Sequence, residues 1–369
     1  MLPDLSQLSR ETESPPFFVV GSGRSGSTLL RMMLASHSRI AIPPETWFLL
    51  PLVEQFPIDK ALNGEELSQV IAVMTTHYRW PDMMITAEDL QERAAGLATA
   101  RIRDVVRIVY DIHLQRSGKL RWGDKTPPYV RIIPQLATIF PGARFICLIR
   151  DGRDVAKSFQ SLRVYGKSVR QNTIEWLEAN RWERKWLASE HASSMLRVRY
   201  ENLVVDPEAT LRRICEFIGV PFEPQMLAWQ DSVKRLVPKR ELHVHEKLAR
   251  TTSHDDVARW KREMSDREVF MAEAFMGRDL RRLGYECQFS SSVWHPVFWL
   301  IRAYYDFLLP LNPIRVVQSL ARRLGRETVN GAFAASSAAA DELDTAVRPR
   351  GPAPRAVDPS KIGLRRHLR

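Results

Sequence analysis

The strongest chemical signal in the sequence is a segment rich in glycine and hydroxyl residues, residues 21–28, which reads GSGRSGST. It follows a short apolar run, residues 17–20, and precedes leucines and methionines at helical spacing, so we expect a strand, a loop and a helix in that order. The backbone N–H groups of such a loop and of the helix N-terminus bind anions such as phosphate. Because the strand, the glycine spacing, the hydroxyls and the helix coincide, we favour an anion-binding loop over a glycine turn that serves packing alone.

One position distinguishes this loop from the phosphate loop of nucleotide triphosphatases. In those proteins a lysine precedes the final Ser or Thr and reaches the outer phosphates, while the hydroxyl binds Mg²⁺. Here Ser27 occupies the position of the lysine, and the nearest cation is Arg24, inside the loop. Since a phosphate-loop kinase needs that lysine, the loop argues against phosphoryl transfer.

A second anion site is predicted after the apolar run of residues 144–149. Arg150 begins the turn that follows this run, and Ser158 comes about two helical turns later. A turn that folds Arg150 back toward the helix could bring both side chains onto one anion. The alternative, in which Arg150 pairs locally with Asp151 or Asp154, stays open.

A parallel sheet is the element that could bring these segments together. Apolar runs at residues 17–20, 144–149 and 195–200 alternate with helical patterns, which predicts parallel strands covered by helices on both faces. Residues 46–118 are mostly helical in pattern, and we interpret them as an insertion. The predicted fold class is therefore α/β, a parallel sheet flanked by helices, with the topology of P-loop NTPases and a helical insertion.

Four segments together resemble the sulfotransferases that use 3′-phosphoadenosine 5′-phosphosulfate (PAPS), in their bacterial and tyrosylprotein-sulfotransferase-like branch. They are residues 24–29 (RSGSTL), 145–158 (FICLIRDGRDVAKS), 200–203 (YENL) and 219–222 (GVPF). The resemblance covers about residues 16–285 and implies an enzyme that moves a sulfuryl group from PAPS to a hydroxyl or amine acceptor. We therefore place a sulfotransferase domain at residues 16–289, after a flexible N-terminus over residues 1–15, with residues 46–118 as a helical lid over the acceptor.

The resemblance also implies roles for individual residues. The residues similar to the family's 5′-phosphosulfate loop are Arg24, Ser25, Gly26, Ser27 and Thr28. Those similar to its 3′-phosphate motif are Arg150 and Ser158, and Tyr200 would lie near the nucleotide. Lys125, in the segment WGDKTP, is similar to the lysine that reaches the bridging or sulfuryl oxygens, and Trp260 is similar to part of the segment that closes over the nucleotide.

The acceptor must lose a proton when it attacks, so the site needs a general base. Glu45 follows two prolines at the end of a predicted strand, and the carboxyl edge of a parallel sheet is also where the anion loop lies. In the tyrosylprotein-like branch a glutamate in a Glu-Thr segment is the base, and Glu45-Thr46 is similar to that segment. From the residues alone, two structural roles for Glu45 stay open: a helix N-cap, or a carboxylate that pairs with Arg24.

The charge of the transferred group agrees with the missing lysine. A sulfuryl group carries less negative charge at neutral pH than a terminal phosphoryl group, so fixed cations and backbone dipoles can stabilise its transfer without Mg²⁺. We predict no metal site, because His243, His245 and His254 have no metal-ligand spacing with a cysteine or a pair of carboxylates. Two alternatives remain: a P-loop kinase, and a non-catalytic protein that binds nucleotide or nucleic acid. The core has no recognisable nucleic-acid motif, so we expect no nucleic-acid partner.

The net charge of +11 over 369 residues is unevenly distributed. Residues 312–369 hold 11 basic and 5 acidic residues, so about half of the surplus belongs to this tail, and we predict a disordered basic tail over residues 327–369. The rest of the chain is only mildly basic.

Residues 290–326 are predicted to form amphipathic helices, with aromatic residues on one side and arginines following. Two interpretations stay open: peripheral contact with a membrane through residues 293–326, or packing on the domain or in a homodimer. Three scattered cysteines and a polar N-terminus favour a cytoplasmic protein. The lid carries no motif that identifies the acceptor, for which we keep a small molecule, a lipid-linked compound and a glycan.

Overall fold

The protein is described by a computed structural model, in which residues 15–97, 99–160, 169–230 and 256–289 are described here. The predictions for residues 290–326 and 327–369, and for residues 1–14 of the N-terminus, lie outside the described residues.

Within the described residues, five strands form one parallel sheet at the centre of the fold. The strands are β1 (Phe17–Gly21), β2 (Ile40–Ala41), β3 (Arg121–Lys125), β4 (Arg144–Ile149) and β5 (Met195–Arg199). Their order across the sheet is β2-β3-β1-β4-β5, and every neighbouring pair is parallel. Since parallel strands all end at the same edge, the segments that follow β1, β3 and β4 meet there, and the predicted α/β fold class is confirmed.

Helices surround this sheet. In the part of the chain that the structure describes they are α1 (Ser27–Ala35), α2 (Leu49–Gln55), α3 (Gly64–Thr75), α4 (Ala87–Ala95), α5 (Ile102–Ser117), α6 (Ile133–Ile139), α7 (Gly152–Gln160), α8 (Val169–Leu187), α9 (Tyr200–Val205), α10 (Pro207–Ile218), α11 (Trp260–Glu263) and α12 (Asp266–Arg282). Along the chain, helices α2 to α5 come between β2 and β3, and they constitute the helical insertion. None of the described helices is long and apolar enough to cross a membrane.

Strand β1 lies in the core, which explains why its residues form an unbroken apolar run. Its residues FFVVG are all buried, as expected for a central strand with helices against both faces. Leu30 and Met33 of α1 and Leu211 and Ile214 of α10 belong to the buried cluster that contains β1 residues Phe17 and Val19. Burial of each such side chain stabilises the fold by about 1.5–3 kcal/mol, so β1 and the start of α1 are held firmly.

Local sequence signals set the bounds of several elements. Helix α10 begins after Asp206, a residue type that favours helix starts, and its carboxylate accepts a hydrogen bond from the Ala209 N–H at 3.0 Å. The helix ends at Gly219, whose φ of 75° suits glycine. The apolar spacing of residues 129–140 favours one helix that stops before Pro141, but the structure has a 3₁₀ helix, Pro127–Ile132, followed by α6. Pro134 in the first turn of α6 has no N–H to donate, so it breaks the hydrogen-bond pattern of a longer helix.

Candidate active site

The anion loop, residues 21–28, joins β1 to α1 at the carboxyl edge of the sheet. Helix α1 begins at Ser27 and has no acidic residue in its first turn, so its N-terminal amides and its dipole favour a bound anion. The hydroxyl of Ser25 donates to the Ser22 carbonyl at 2.7 Å and closes the loop on itself. The loop therefore has the form that the sequence predicts for a phosphate cradle.

Gly26 is a position in this loop that tolerates no side chain. Its φ of 94° lies in the left-handed region, and a Cβ there would lie 2.3 Å from Cδ2 of Tyr200. We expect Gly26→Ala to weaken binding of adenosine 3′,5′-bisphosphate at least about tenfold, because backbone strain and the displaced tyrosine each cost on the order of 1 kcal/mol or more. Calorimetry measures this affinity.

Gly64→Ala is the matched control for that substitution. Gly64 is the first residue of α3, and a Cβ there would have nothing within 4 Å. We expect it to leave the affinity for the bisphosphate unchanged. Equal affinities of the two variants would show that the contact between Gly26 and Tyr200 does not matter for binding.

Lys125 joins the anion loop to Glu45. It is the last residue of β3 and pairs in register with Val19 of β1. Its ammonium lies 3.3 Å from Oγ1 of Thr28, in the first turn of α1, and it forms a short ion pair with Glu45. The ion-pair partner of Glu45 is thus Lys125. The N-cap alternative is wrong, because Phe48 and not Glu45 lies at the N-cap of α2.

The pair sets the protonation state of Glu45. Burial raises the pKa of this carboxyl, but the charges of Lys125 and Arg79, with hydrogen bonds from Lys125 and Trp47, bring the pKa down to about 2. The indole N–H of Trp47 donates to Oε2 of Glu45 at 2.7 Å, opposite the lysine. Glu45 is therefore a carboxylate at neutral pH, and its capacity to take a proton depends on where Lys125 lies.

A buried polar network lies directly beside this pair, between Thr46 and Asp124. The Thr46 hydroxyl donates to Oδ2 of Asp124 at 2.8 Å, and the Tyr110 hydroxyl donates to the same oxygen at 2.9 Å. Burial raises the pKa of Asp124 to about 6, although hydrogen bonds from Thr46 and Tyr110 oppose the rise. This network joins the chain segments that carry Glu45 and Lys125.

The residues predicted to bind the 3′-phosphate lie together after the end of β4. Nε of Arg24 donates to the Ser158 hydroxyl at 3.1 Å, and Nη1 of Arg150 lies 3.4 Å from the Arg24 carbonyl. Arg150, Ser158 and Arg24 therefore meet at one place. Arg24 connects the anion loop to the second site, and this connection was not predicted from the sequence.

Arg150 is held from several sides. Its guanidinium lies 4.2 Å from the ring centroid of Tyr200, 3.6 Å from Oδ2 of Asp154, and 3.0 Å from the carbonyl of Asp256. Its Nε is buried and has no hydrogen-bond partner among the described residues. Of the two local pairings predicted for Arg150, the structure has the one with Asp154. Asp151 instead pairs with Arg153, at 2.7 Å. A buried donor without a partner suits an anion that arrives with the substrate.

Trp260 packs against the turn that carries Arg150. Its backbone N–H donates to Oδ1 of Asp154 at 2.7 Å, and the guanidinium of Arg153 lies 3.7 Å from its ring centroid. Burial raises the pKa of Asp154 to about 6, while the charge of Arg150 opposes the rise. That Trp260 belongs to a segment closing over the nucleotide stays a prediction.

The structure thus gathers the predicted residues into two groups, one around Lys125 and one around Arg150. Asp124 was not among the residues predicted from the sequence, and Thr46 was predicted only as the neighbour of Glu45. Their signal was their place beside Glu45 and Lys125, since polar pairs near the carboxyl ends of two adjacent parallel strands must lie close together. In the described residues, no group of three or more His, Cys, Asp or Glu side chains could hold a metal ion.

A central strand that enters a helix through a glycine loop, with a cationic turn after the neighbouring strand, is typical of P-loop-like folds. Beside the loop, Lys125 can stabilise a developing negative charge and Glu45 can accept a proton, as a group-transfer reaction requires. Residues 15–224, more than half of the chain, match the profile of the Sulfotransferase family. The chain belongs to this family and is a sulfotransferase, so the kinase and the non-catalytic binding protein are set aside.

Several known proteins are similar to the chain. Protein-tyrosine sulfotransferase A of Caenorhabditis elegans is 24% identical over 281 residues, which cover 74% of this chain and 68% of that protein. Nodulation protein NoeE of Sinorhizobium fredii (strain NBRC 101917 / NGR234) is 27% identical over 308 residues, or 76% of this chain and 68% of that protein. The sulfotransferase domain from the curacin biosynthetic pathway has the same fold, with a TM-score of 0.52 and 24% identity, over 74% of this chain and 98% of that domain.

Proposed function

We propose that the protein transfers a sulfuryl group from PAPS to a hydroxyl or amine acceptor by in-line displacement, with Glu45 as the general base. The observation that carries this proposal is the contact series from Thr28 through Lys125 to Glu45. It joins an anion loop, a cation and a carboxylate within hydrogen-bond reach of one another. These are the three groups that such a transfer needs: one for the leaving phosphate, one for the developing charge and one for the proton.

The donor fits the two anion sites. The amides and hydroxyls of Ser25, Gly26, Ser27 and Thr28, together with Arg24, would bind the 5′-phosphosulfate. Arg150 and Ser158 would bind the 3′-phosphate, which offers the buried Nε of Arg150 a partner. Tyr200, between Gly26 and Arg150, would fix the distance between the two sites.

Glu45 and Lys125 divide the chemistry between them. Glu45 takes the proton of the acceptor hydroxyl as the acceptor oxygen forms a bond to sulfur. The bond between sulfur and the bridging oxygen breaks, and adenosine 3′,5′-bisphosphate leaves with that electron pair. Lys125 and the amides of α1 stabilise the negative charge that develops on the leaving oxygen.

The ion pair seen in the structure is a resting arrangement. In it Glu45 is a weak base, since Lys125 and Arg79 hold its pKa at about 2. When a sulfuryl group arrives, its oxygens compete for the ammonium of Lys125. As Lys125 turns toward them, burial raises the pKa of Glu45, so the carboxylate becomes a stronger base when the donor is bound.

The acceptor would approach from the side of the helical insertion. Trp47 and Arg79, which interact with Glu45, both lie in residues 46–118. The names of the relatives add a protein tyrosine hydroxyl to the acceptors predicted from the sequence, which are a small molecule, a lipid-linked compound and a glycan. The cytoplasmic location, the membrane contact through residues 293–326 and the homodimer stay predictions.

Calorimetry with adenosine 3′,5′-bisphosphate, with ATP and Mg²⁺, and with duplex DNA tests the donor class. We expect the bisphosphate to bind most tightly, because it alone presents phosphates to both anion sites. Transfer of ³⁵S from labelled PAPS to a panel of tyrosine peptides, phenols and oligosaccharides then tests the reaction. Preference for ATP, or no labelled product with any acceptor in the panel or with water, would contradict the proposal.

Arg150→Ala tests the 3′-phosphate site. We expect the affinity for adenosine 3′,5′-bisphosphate to fall roughly tenfold to a hundredfold, the worth of charge-assisted hydrogen bonds to a phosphate. Adenosine 5′-phosphosulfate, which has no 3′-phosphate, should bind the variant and the unchanged protein within about threefold of each other. Calorimetry with both ligands gives the comparison.

Arg144→Ala is the matched control, since Arg144 begins β4 at the opposite end of the strand that Arg150 follows. It should bind both ligands as the unchanged protein does. If Arg150→Ala weakened the two ligands equally, the arginine would serve the fold or the 5′ site rather than the 3′-phosphate.

A further inference from the structure

Two chain segments meet beside the proposed catalytic pair and share one buried network. Glu45 is followed by Thr46, and Lys125 is preceded by Asp124 and followed by Thr126. The backbone N–H of Thr46 donates to the Thr126 hydroxyl at 3.1 Å, while the Thr46 hydroxyl donates to Asp124 at 2.8 Å. Thr46, the neighbour of the proposed base, is thus hydrogen-bonded to both neighbours of the lysine.

The hydroxyl hydrogens of Thr46, Tyr110 and Tyr129 are directed toward Asp124. Because the Thr46 hydroxyl gives its hydrogen to Asp124, the Tyr129 hydroxyl, 2.6 Å from the Thr46 oxygen, donates to Thr46 in turn. The backbone N–H of Leu49 donates to the Tyr129 hydroxyl at 3.2 Å, and Tyr110 donates directly to Asp124. An ionised Asp124 can accept from both hydroxyls, so it gives the series a single direction.

Stability alone does not account for a carboxylate at this position. Asp124 has no exposed surface, and its Oδ1 has no hydrogen-bond partner among the described residues. Burying a charge in this way costs free energy that an uncharged side chain of the same shape would not cost. Its contacts instead lead to Thr46, one residue from Glu45.

We infer that Asp124 is a positioning residue which, through Thr46, holds the carboxylate of Glu45 in line with Lys125 and the anion loop. The inference rests on the proposed function, since it assigns a role within that reaction. Thr46 transmits the restraint because its hydroxyl binds Asp124 and its N–H binds Thr126, leaving the preceding residue little freedom. Displacement of a reacting group by about 1 Å is enough to cost on the order of a hundredfold in rate.

The charge of Asp124 makes this restraint depend on pH. The titratable groups that face it are Tyr110 from α5, Tyr129 from the 3₁₀ helix after β3, and Glu45. Burial raises the pKa of both tyrosines well above their usual value, so they stay neutral donors, and the Asp124 carboxyl, with a pKa of about 6, is the group that titrates. Above pH 6 the ionised carboxylate accepts both hydroxyls strongly through Oδ2, whereas below pH 6 a proton on the unpartnered Oδ1 leaves Oδ2 a neutral and weaker acceptor.

Thr46→Val and Thr46→Ser form the first test, since valine keeps the shape of threonine without its hydroxyl. We expect Thr46→Val to lower kcat roughly tenfold to a hundredfold with the affinity for adenosine 3′,5′-bisphosphate unchanged, and Thr46→Ser to keep most of the activity. Calorimetry and thermal unfolding verify binding and folding. The inference would be overturned if Thr46→Val had a normal kcat. It would also be overturned if the kcat of Thr46→Ser were as low as that of Thr46→Val.

Asp124→Asn gives the second test through the pH dependence of kcat/KM for PAPS, which reports the free enzyme. We expect the ratio of unchanged protein to variant to approach one near pH 5, where Asp124 is neutral, and to exceed about ten above pH 7. The ratio cancels the titration of Asp154 and of the donor's phosphates. The melting temperature should be equal or higher, because the variant buries no charge.

A ratio that does not change with pH, or a variant that melts lower and loses affinity for the bisphosphate, would make Asp124 a structural residue and overturn the inference. Failure of the proposed function looks different, since the unchanged protein would then transfer no sulfuryl group from PAPS at any pH.

Discussion

Replacing Glu45 by glutamine is expected to lower kcat by at least about a hundredfold while the affinity for adenosine 3′,5′-bisphosphate stays within about twofold. Glutamine keeps the size of the side chain and can still accept a hydrogen bond from the indole of Trp47, but it cannot take a proton. The proposed donor contacts are made by the anion loop, Arg150 and Ser158, whereas Glu45 would act on the acceptor, so the donor should bind normally. Steady-state kinetics with ³⁵S-labelled PAPS and calorimetry measure the two quantities.

Glu54→Gln provides the control, because Glu54 is an exposed glutamate of α2, nine residues further along the chain. It should leave kcat unchanged. A Glu45→Gln variant with more than about a tenth of normal kcat would assign the proton to another group.

The lowered pKa of Glu45 also has a consequence for stability. Since its folded pKa, about 2, lies below the ordinary value of 4.5, the pair with Lys125 stabilises the fold above pH 4.5, and that contribution is lost as the pH falls toward 2. Glu45→Gln should therefore flatten the acid end of the stability curve. Asp124 acts in the opposite sense, because its raised pKa makes its ionisation unfavourable to the fold as the pH rises toward 6.

Elements with strong local signals were predictable from the sequence. The apolar runs gave β1 and β4, and the glycine loop after β1 gave the start of α1. Asp206, Pro207 and Gly219 marked both ends of α10. In each case the information lies within a few residues of the element, so no knowledge of distant contacts is needed.

Strand β3 was not predictable in this way. Its sequence, RWGDK, has no apolar run, although all five residues are buried. Gly123 is required because a Cβ there would lie 2.3 Å from the ring of Phe17, a contact between residues more than a hundred positions apart. The pairing of Lys125 with Glu45 follows from this strand's place beside β2, whose chain leads to Glu45, so sequence reasoning reached the two residues but not their contact.

The position of Arg24 shows the same limit. The resemblance assigned it to the 5′-phosphosulfate, but its backbone lies in the left-handed region and its Nε contacts Ser158 of the other anion site. A side chain's partner depends on which loops share the edge of the sheet, and spacing within one loop does not contain that information. A residue between the two sites can respond to an anion in either one.

Replacing Lys125 by methionine is expected to have the other large effect, lowering kcat by about a hundredfold to a thousandfold, the cost of removing one donor from the developing charge. Methionine fills the space of the lysine stem without its ammonium. Affinity for the bisphosphate should fall less than about tenfold, because the amides of α1 and the arginines remain. The same ³⁵S assay and calorimetry give both values, and a kcat within about tenfold of normal would remove Lys125 from the reaction.

Lys60→Met is the control, since Lys60 also pairs with a glutamate, Glu66, at 2.7 Å, but its side chain is 58% exposed. A surface pair of this kind is worth at most about 1 kcal/mol, so the control should change neither stability nor kcat appreciably.

The double variant with Glu45→Gln and Lys125→Met separates catalysis from stability. Lys125→Met alone leaves the Glu45 carboxylate partly buried without its main partner, which raises its pKa and lowers the free energy of unfolding by up to about 3 kcal/mol. Adding Glu45→Gln removes that charge, so stability should recover although activity does not. Such recovery would show that the two side chains stabilise each other and that neither is required for folding. Additive losses of stability would mean that the two residues act independently, and the resting ion pair would then play no part in the mechanism.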